Sequence, residues 1–199
     1  HYLLGVTTAP RWNHMDFCLN LLRKTIVFIM FIGLFLASGC STTTVGTYAN
    51  DSPEFNPFEY FKGKTEAWGI VQDHRGRVIR RFSVEILGSS TDDTLVLDEV
   101  FNYADGAKDN RRWEIVRSSD GTLTGTAGDI LGTASGTLSG NAMRWQYEMD
   151  LPVGDKTYRV KFDDWLWMLD KDILVNRSYI KKFGVKVAEV TLFFQKGSN

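Results

Sequence analysis

From Tyr60 to Lys196 the chain alternates apolar and polar residues with period two, and nearly every stretch ends at Gly, Asp-Gly or Asn. Successive side chains of an extended strand point to opposite faces, so this alternation describes half-buried strands. Arg144-Trp145-Gln146-Tyr147-Glu148-Met149 and Thr157-Tyr158-Arg159-Val160-Lys161-Phe162-Asp163 alternate without a fault. Further strand candidates are 64–72, 78–87, 94–103, 111–118, 122–130, 133–139, 173–180 and 185–195. Turns are expected at His74-Arg75-Gly76, Asp105-Gly106, Asp120-Gly121 and Gly154-Asp155. Only 55–61 and 179–183 read as short helices. There is no βαβ rhythm, so the class is all-β, a closed antiparallel barrel or a sandwich. Meander spacing and the scarcity of long crossovers favour one antiparallel barrel of about 8–10 strands.

Ahead of this domain lies Arg23-Lys24, an apolar run from Thr25 to Leu36, and small residues leading to Cys40. That order is a bacterial lipoprotein signal. The cations stay in the cytoplasm, the apolar run enters the bilayer, and small side chains admit a peptidase. The Cys40 thiol is then the nucleophile that takes a diacylglycerol, with a palmitate-type acyl chain to follow. A helix of twelve apolar residues rises about 18 Å, too short for a membrane span. The lipobox departs from the usual pattern in one place, with Ala37 three residues before the cysteine where Leu is common.

Residues 1–14 precede Met15 and read as an upstream extension or a mis-assigned start; 15–39 form the signal peptide. Residues 40–57 comprise the acylated cysteine and a flexible Ser/Thr/Asn/Pro-rich tether, and 58–199 the barrel. Stretched out, the tether reaches roughly 55 Å. Ser41 directly after the cysteine favours sorting to the outer membrane, on its periplasmic face. Loss of 1–39 leaves 20 cations against 23 anions and no basic stripe, which argues against a nucleic-acid partner. With Cys18 removed and Cys40 acylated, no disulfide is expected, and the chain is read as monomeric.

Chemistry has few places to reside. His74 is the mature chain's one histidine and sits in an expected turn, so no His/Cys metal cage or Cys/His nucleophile can be assembled. Neither catalytic residues, metal ligands nor a cofactor are assigned, and an enzyme is the less favoured class. Ser178-x-x-Lys181 has the Ser-x-x-Lys spacing, but in a strand its two residues oppose one another. The glycine run 121, 125, 128, 132, 136 and 140 lacks a Gly-Lys-Ser/Thr and a following helix, so it marks strand bends and close backbone approaches, not a phosphate loop.

The series Tyr60-Phe61-x-Gly63, Ala67-Trp68-Gly69, Asp73-x-x-Gly76, Leu97-Asp98-Glu99-x-Phe101-x-Tyr103-x-Asp105-Gly106, Arg112-Trp113, Gly125-x-Ala127-x-Asp129, Gly132-x-Ala134-x-Gly136, Asp163-Asp164-Trp165, Asn176-Arg177 and Lys182-Phe183-Gly184 resembles the DUF3833 lipoproteins of proteobacteria. The resemblance runs from the lipobox to Glu189-Val190-Thr191-Leu192-Phe193-Phe194. It implies a lipocalin-like barrel on a lipid anchor and carries no catalytic residues. The family's association with genes of membrane fatty-acid modification suggests a lipid theme.

Following the pleats gives a candidate site. Asp164 shares a strand face with Tyr158, Val160, Phe162, Leu166 and Met168; Glu66 shares one with Trp68 and Ile70; Arg177 shares one with Ile173, Val175 and Tyr179. Glu66, Asp164 and Arg177 are therefore expected inside an apolar barrel as one polar cluster. Unpaired buried charges cost several kcal/mol each, so they pair with one another or with what enters. In order of preference the cluster is a buried ion pair closing one end, an anchor where Arg177 meets a carboxylate or phosphate head group, or an acid/base centre at Glu66 or Asp164. Trp68, Trp145, Tyr147, Tyr158 and Phe162 are the candidate lumen aromatics. Trp113, Trp165 and Trp167 add to an aromatic content that is more often core than ligand platform. The expected function is binding or carriage of an amphiphilic lipid or fatty acid in the envelope, by a protein held to the membrane through Cys40. The alternatives are a structural or assembly accessory, then a lipid-acting enzyme.

Overall fold

The computed structural model describes residues 43–197 together with Arg23 and Lys24. Cys40, the lipobox and the signal segment lie outside the described residues. Ten antiparallel strands close on themselves: β1 (Gly63–Asp73), β2 (Val78–Ser90), β3 (Thr94–Tyr103), β4 (Lys108–Arg117), β5 (Leu123–Ala127), β6 (Ile130–Ser139), β7 (Ala142–Val153), β8 (Lys156–Asp170), β9 (Ile173–Lys182) and β10 (Val185–Lys196). Each strand pairs with its neighbours in sequence, and β10 returns to β1. Closure satisfies every strand edge, which explains why so many Gly-punctuated strands coexist without an exposed edge. The helical candidate 179–183 is not a helix: 179–182 are the end of β9, paired to β8 and β10, and Phe183 starts the turn to β10.

The glycine run has two uses. Gly125 and Gly136 face inwards beneath the indole of Trp145, where a β-carbon on either would strike the ring. Gly140 (φ +53°) turns the β6–β7 hairpin and lies against the backbone of Tyr48, a position that tolerates no side chain. Both uses are close approaches, as strand glycines commonly are.

One end of the barrel is stoppered by the single-turn helix α1 (Pro57–Tyr60). Asn56 caps it, its side chain accepting from the Phe58 N–H, and Pro57 starts it with φ already set. Phe55, Phe58, Tyr60 and Phe61 are buried in the barrel end. The Lys196 ammonium donates to the carbonyls of Glu59, Tyr60 and Lys62, ending the helix with a cation where its dipole is negative. Ser90 donates to the Phe58 carbonyl at 2.8 Å and fixes the stopper to β2.

The sequence reading of 40–57 as a flexible tether needs correcting from Thr44 onwards. The compact unit begins at Thr44. A 3-10 turn, Val45–Tyr48, lies on the outside of β6 and β7, with the Tyr48 ring edge-on to Trp165 (6.2 Å) and Trp167 (6.3 Å). The Phe55 N–H then donates to the Gly140 carbonyl at 2.9 Å. Low hydrophobicity concealed this strap because one tyrosine and backbone hydrogen bonds hold it, not a periodic apolar face.

Candidate functional site

Inward-facing side chains divide the barrel into two halves. Towards the stopper, Ala67, Leu95, Leu123, Ala134 and Leu174 are fully buried. Towards the other end Phe82, Phe101, Leu151, Tyr158, Val190 and Leu192 point inwards and yet keep solvent-accessible surface. Water therefore reaches the interior face at this end, and the barrel has the form of a cup: closed at α1 and more open at the hairpins joining β1–β2, β3–β4, β5–β6, β7–β8 and β9–β10. Cations sit on aromatic faces at the mouth, with the Arg80 guanidinium 3.4 Å above the Tyr103 ring and the Lys182 ammonium 4.0 Å from that of Tyr158.

Between the packed half and the open half lies a band of polar groups. The Ser178 hydroxyl donates to the Asp164 carboxylate across the β8–β9 pair. Glu99 on β3 stands directly opposite Arg111 on β4. Arg111 donates from Nε (3.0 Å) and Nη2 (2.6 Å) to Asp129 and lies 5.6 Å from the Phe101 ring. Tyr147 stacks on Phe162 (4.9 Å between centroids, 6° between planes) and meets Trp113 edge-on. Trp113 in turn meets Trp145 at 5.6 Å.

Burial pushes the carboxyls of Asp164 and Glu99 each up to about 7. Burial works against the Arg111 charge, but Tyr147, Glu99 and Asp129 outweigh it and hold the guanidinium protonated. Arg111 is already neutralised by Asp129. The lumen thus presents two carboxyls poised between charged and neutral near physiological pH, and its cation is taken. Such a band favours a hydroxyl or amine that donates hydrogen bonds over an anion. Among the described residues no three of His, Cys, Asp or Glu converge as metal ligands would.

The expected cluster of Glu66, Asp164 and Arg177 therefore divides. Asp164 points inwards; Glu66 and Arg177 are exposed on the outer wall. In β1 the outward face was mistaken for the inward one because it carries the larger apolar residues, Trp68 and Ile70. The inward set is Thr65, Ala67 and Gly69, and at Gly69 a neighbouring ring fills the space: a β-carbon there would strike Phe82. The same inversion holds in β9, where Leu174, Asn176, Ser178 and Ile180 are buried and Ile173, Val175, Arg177 and Tyr179 alternate outwards. Of the candidate lumen aromatics, Trp145, Tyr147, Tyr158 and Phe162 point inwards, whereas Trp68 is 47% exposed outside. With Arg177 outside, the anchoring of an anionic head group loses its cation. Glu99 and Arg111 were missed although β3 and β4 alternate regularly; their signal was a charge in the apolar phase, Glu99 with Leu97 and Phe101, Arg111 with Trp113 and Ile115.

Asp163 faces outwards, as its neighbour's inward position requires, yet it is buried. It accepts from Arg144 (2.7 and 2.9 Å), Gln146 (3.1 Å) and Lys181 (2.6 Å). Burial raises its carboxyl, but the hydrogen bonds from Arg144 and Lys181 outweigh that and hold it below the ordinary range.

A family model described as "Protein of unknown function (DUF3833)" matches residues 34–196. No curated protein matches the chain.

Proposed function

The chain belongs to the DUF3833 family, whose description assigns no chemistry, and from the geometry we propose that its cup binds an amphiphilic, lipid-type molecule of the cell envelope. The observation that carries this reading is the set of inward yet accessible apolar side chains above the Glu99–Asp164 band. A ligand's polar end, a hydroxyl or amine, descends to Asp164 and Glu99 and donates to them. Its hydrocarbon runs between Phe82, Phe101, Tyr158, Val190 and Leu192 to the mouth. Concave, mostly apolar sites with few polar groups suit such molecules. Burying each methylene contributes about 0.8 kcal/mol, so even a short chain supplies useful affinity. The protein works from the periplasmic face of the outer membrane, held by acyl chains on Cys40.

Native mass spectrometry of protein taken from its own envelope, followed by lipid extraction, is the test. A bound amphiphile is expected, and Leu192→Trp, which fills the lumen, should abolish its retention. A wild-type protein free of ligand, or a ligand indifferent to Leu192→Trp, would refute the cup reading. The anchor is tested separately: Cys40→Ala should leave a larger, uncleaved precursor. A second reading, a non-catalytic envelope accessory, is favoured by apolar side chains exposed on the outer wall.

A further inference from the structure

The outer wall formed by β8, β9, β10 and β1 carries an apolar row of successive cross-strand partners. Trp167 stands opposite Val175, Val175 opposite Phe193, and Phe193 opposite Trp68. Phe193 and Trp68 are 42% and 47% exposed. Val175 and Trp167 are half-buried, and a contiguous apolar row that reaches solvent in this way marks an interaction surface. At one end of the row the Tyr48 ring already packs on Trp167. Tyr48 belongs to the strap on β6 and β7, so the strap borders this wall.

Charge continues the pattern. The next row towards the open end sets Arg177 between Trp165 and Thr191. Beyond it Lys186, Lys181 and Lys161 face one another across β10, β9 and β8. Lys181 and Arg144 pair with Asp163, and Lys186 pairs with Glu189 at 2.7 Å, so the cations that remain are Arg177 and Lys161, the latter opposite Glu148 on β7. Glu66 lies on the row's other flank, opposite Gln195. Aromatic residues at head-group depth beside lysines and arginines are what an anionic phospholipid surface accommodates.

We propose that this wall lies against the phospholipid surface of the membrane that carries the anchor, with the barrel on its side and β8–β9–β10–β1 facing the lipid. The inference rests on acylation of Cys40 and is independent of any lumen ligand. Reach supports it. From Cys40 to the docked Val45 the backbone spans at most about 17 Å. A ten-residue strand is about 33 Å long, so the anchor cannot lift the wall clear of the bilayer by a barrel's length.

The acylated protein in vesicles of phosphatidylethanolamine and phosphatidylglycerol provides the test. Phe193→Cys or, on the opposite side, Val100→Cys supplies a free thiol for an environment-sensitive dye, Cys40 being blocked by its lipid. Both positions are exposed, so neither change disturbs the core. The dye at 193 is expected to shift to the blue and lose most of its emission to spin-labelled lipid, while that at 100 stays water-like. Arg177→Glu combined with Lys161→Glu should reverse the shift at 193. Vesicle-bound protein whose two dyes behave alike would overturn the wall and leave both anchor and cup standing. Protein that fails to float with vesicles would overturn the anchor and the wall together. A blue shift at 193 that is the same in micelles, with a doubled mass, would mean that the face meets a second copy, and would equally overturn the proposal.

Discussion

Ser178 donates its hydroxyl hydrogen to the carboxylate of Asp164 across two paired strands, and both side chains face the interior of the barrel. This is the lone hydrogen bond between side chains given to Asp164 among the described residues, and Arg111, the nearby cation, is held by Asp129. One hydroxyl does not compensate a desolvated carboxylate, which is why the group resists ionisation.

Stability should therefore fall as pH rises through neutrality. Asp164 and Glu99 titrate at about 7 in the folded protein, against about 4 in an unfolded chain. Between those values the folded state binds more protons than the unfolded state, so each step up in pH removes stability. Glu99→Gln combined with Asp164→Asn leaves Ser178 an acceptor and removes both titrations. In thermal melting this variant should be more stable than wild type at pH 8, by up to about 4 kcal/mol for each of the two carboxyls removed, with the gap narrowing below pH 7 and closing towards pH 4. A gap of constant size across that range would show that the two carboxyls are not desolvated when ionised.

Asp163 should behave in the opposite way. Its carboxyl is held low, so its contribution is present above about pH 4 and is lost as pH falls below that. Asp163→Ala leaves Arg144 and Lys181 without their shared acceptor, but both reach solvent and can rehydrate, which puts the loss at about 2–3 kcal/mol, below that for a fully enclosed pair. Urea denaturation of wild type, Asp163→Ala and Asp163→Asn at pH 7 checks this. Equal stability of all three would mean that the three-donor arrangement contributes nothing net.

Much of the fold was legible because alternation survives any error about which face is inside. Ten strands and their turns follow from period two and Gly punctuation, whichever side the core occupies. The site was less legible for that same reason. Assigning faces by apolar bulk fails where the interior is crowded with a neighbour's ring: Thr65, Ala67 and Gly69 are the buried set of β1, and Gly69 is small because the Phe82 ring fills the space it leaves. Face assignment succeeded in β7 and β8, where Trp145, Tyr147, Tyr158 and Phe162 point inwards, because there the large residues are themselves the fillers. The strap was hidden for another reason: its docking depends on Gly140, ninety-two positions from Tyr48, a relation no local pattern encodes.

The stopper should be sensitive to a single methyl group. Gly88 on β2 lies beneath the Phe61 carbonyl, and a β-carbon there would overlap that oxygen, a backbone atom with no rotamer to escape into. Gly88→Ala is expected to destabilise by about 3 kcal/mol or more, or to unseat α1. Hydrogen exchange separates the two outcomes. Protection should be lost first at Tyr60 and Phe61, whose N–H groups bond to Asn56 and Pro57 within α1. Unchanged melting together with unchanged protection would place Phe61 elsewhere.

At the opposite end, the β9–β10 hairpin carries a residue its backbone disfavours. Lys182 and Val185 are direct partners, so Phe183 and Gly184 form a two-residue loop, with φ of +51° and +80°. Both values are left-handed, the geometry that matches strand twist and that Asn-Gly adopts most readily. A β-carbon in that region costs roughly 1–2 kcal/mol, less for Asn than for an aromatic residue. The Phe183 ring is 95% exposed and offsets little of this, its cationic neighbour Lys182 standing 5.4 Å away. Phe183→Asn is therefore expected to stabilise the lipid-free protein by about 1 kcal/mol, read as a higher urea midpoint with an unchanged slope. A lower midpoint would show that the ring has a partner within the barrel that outweighs the strain.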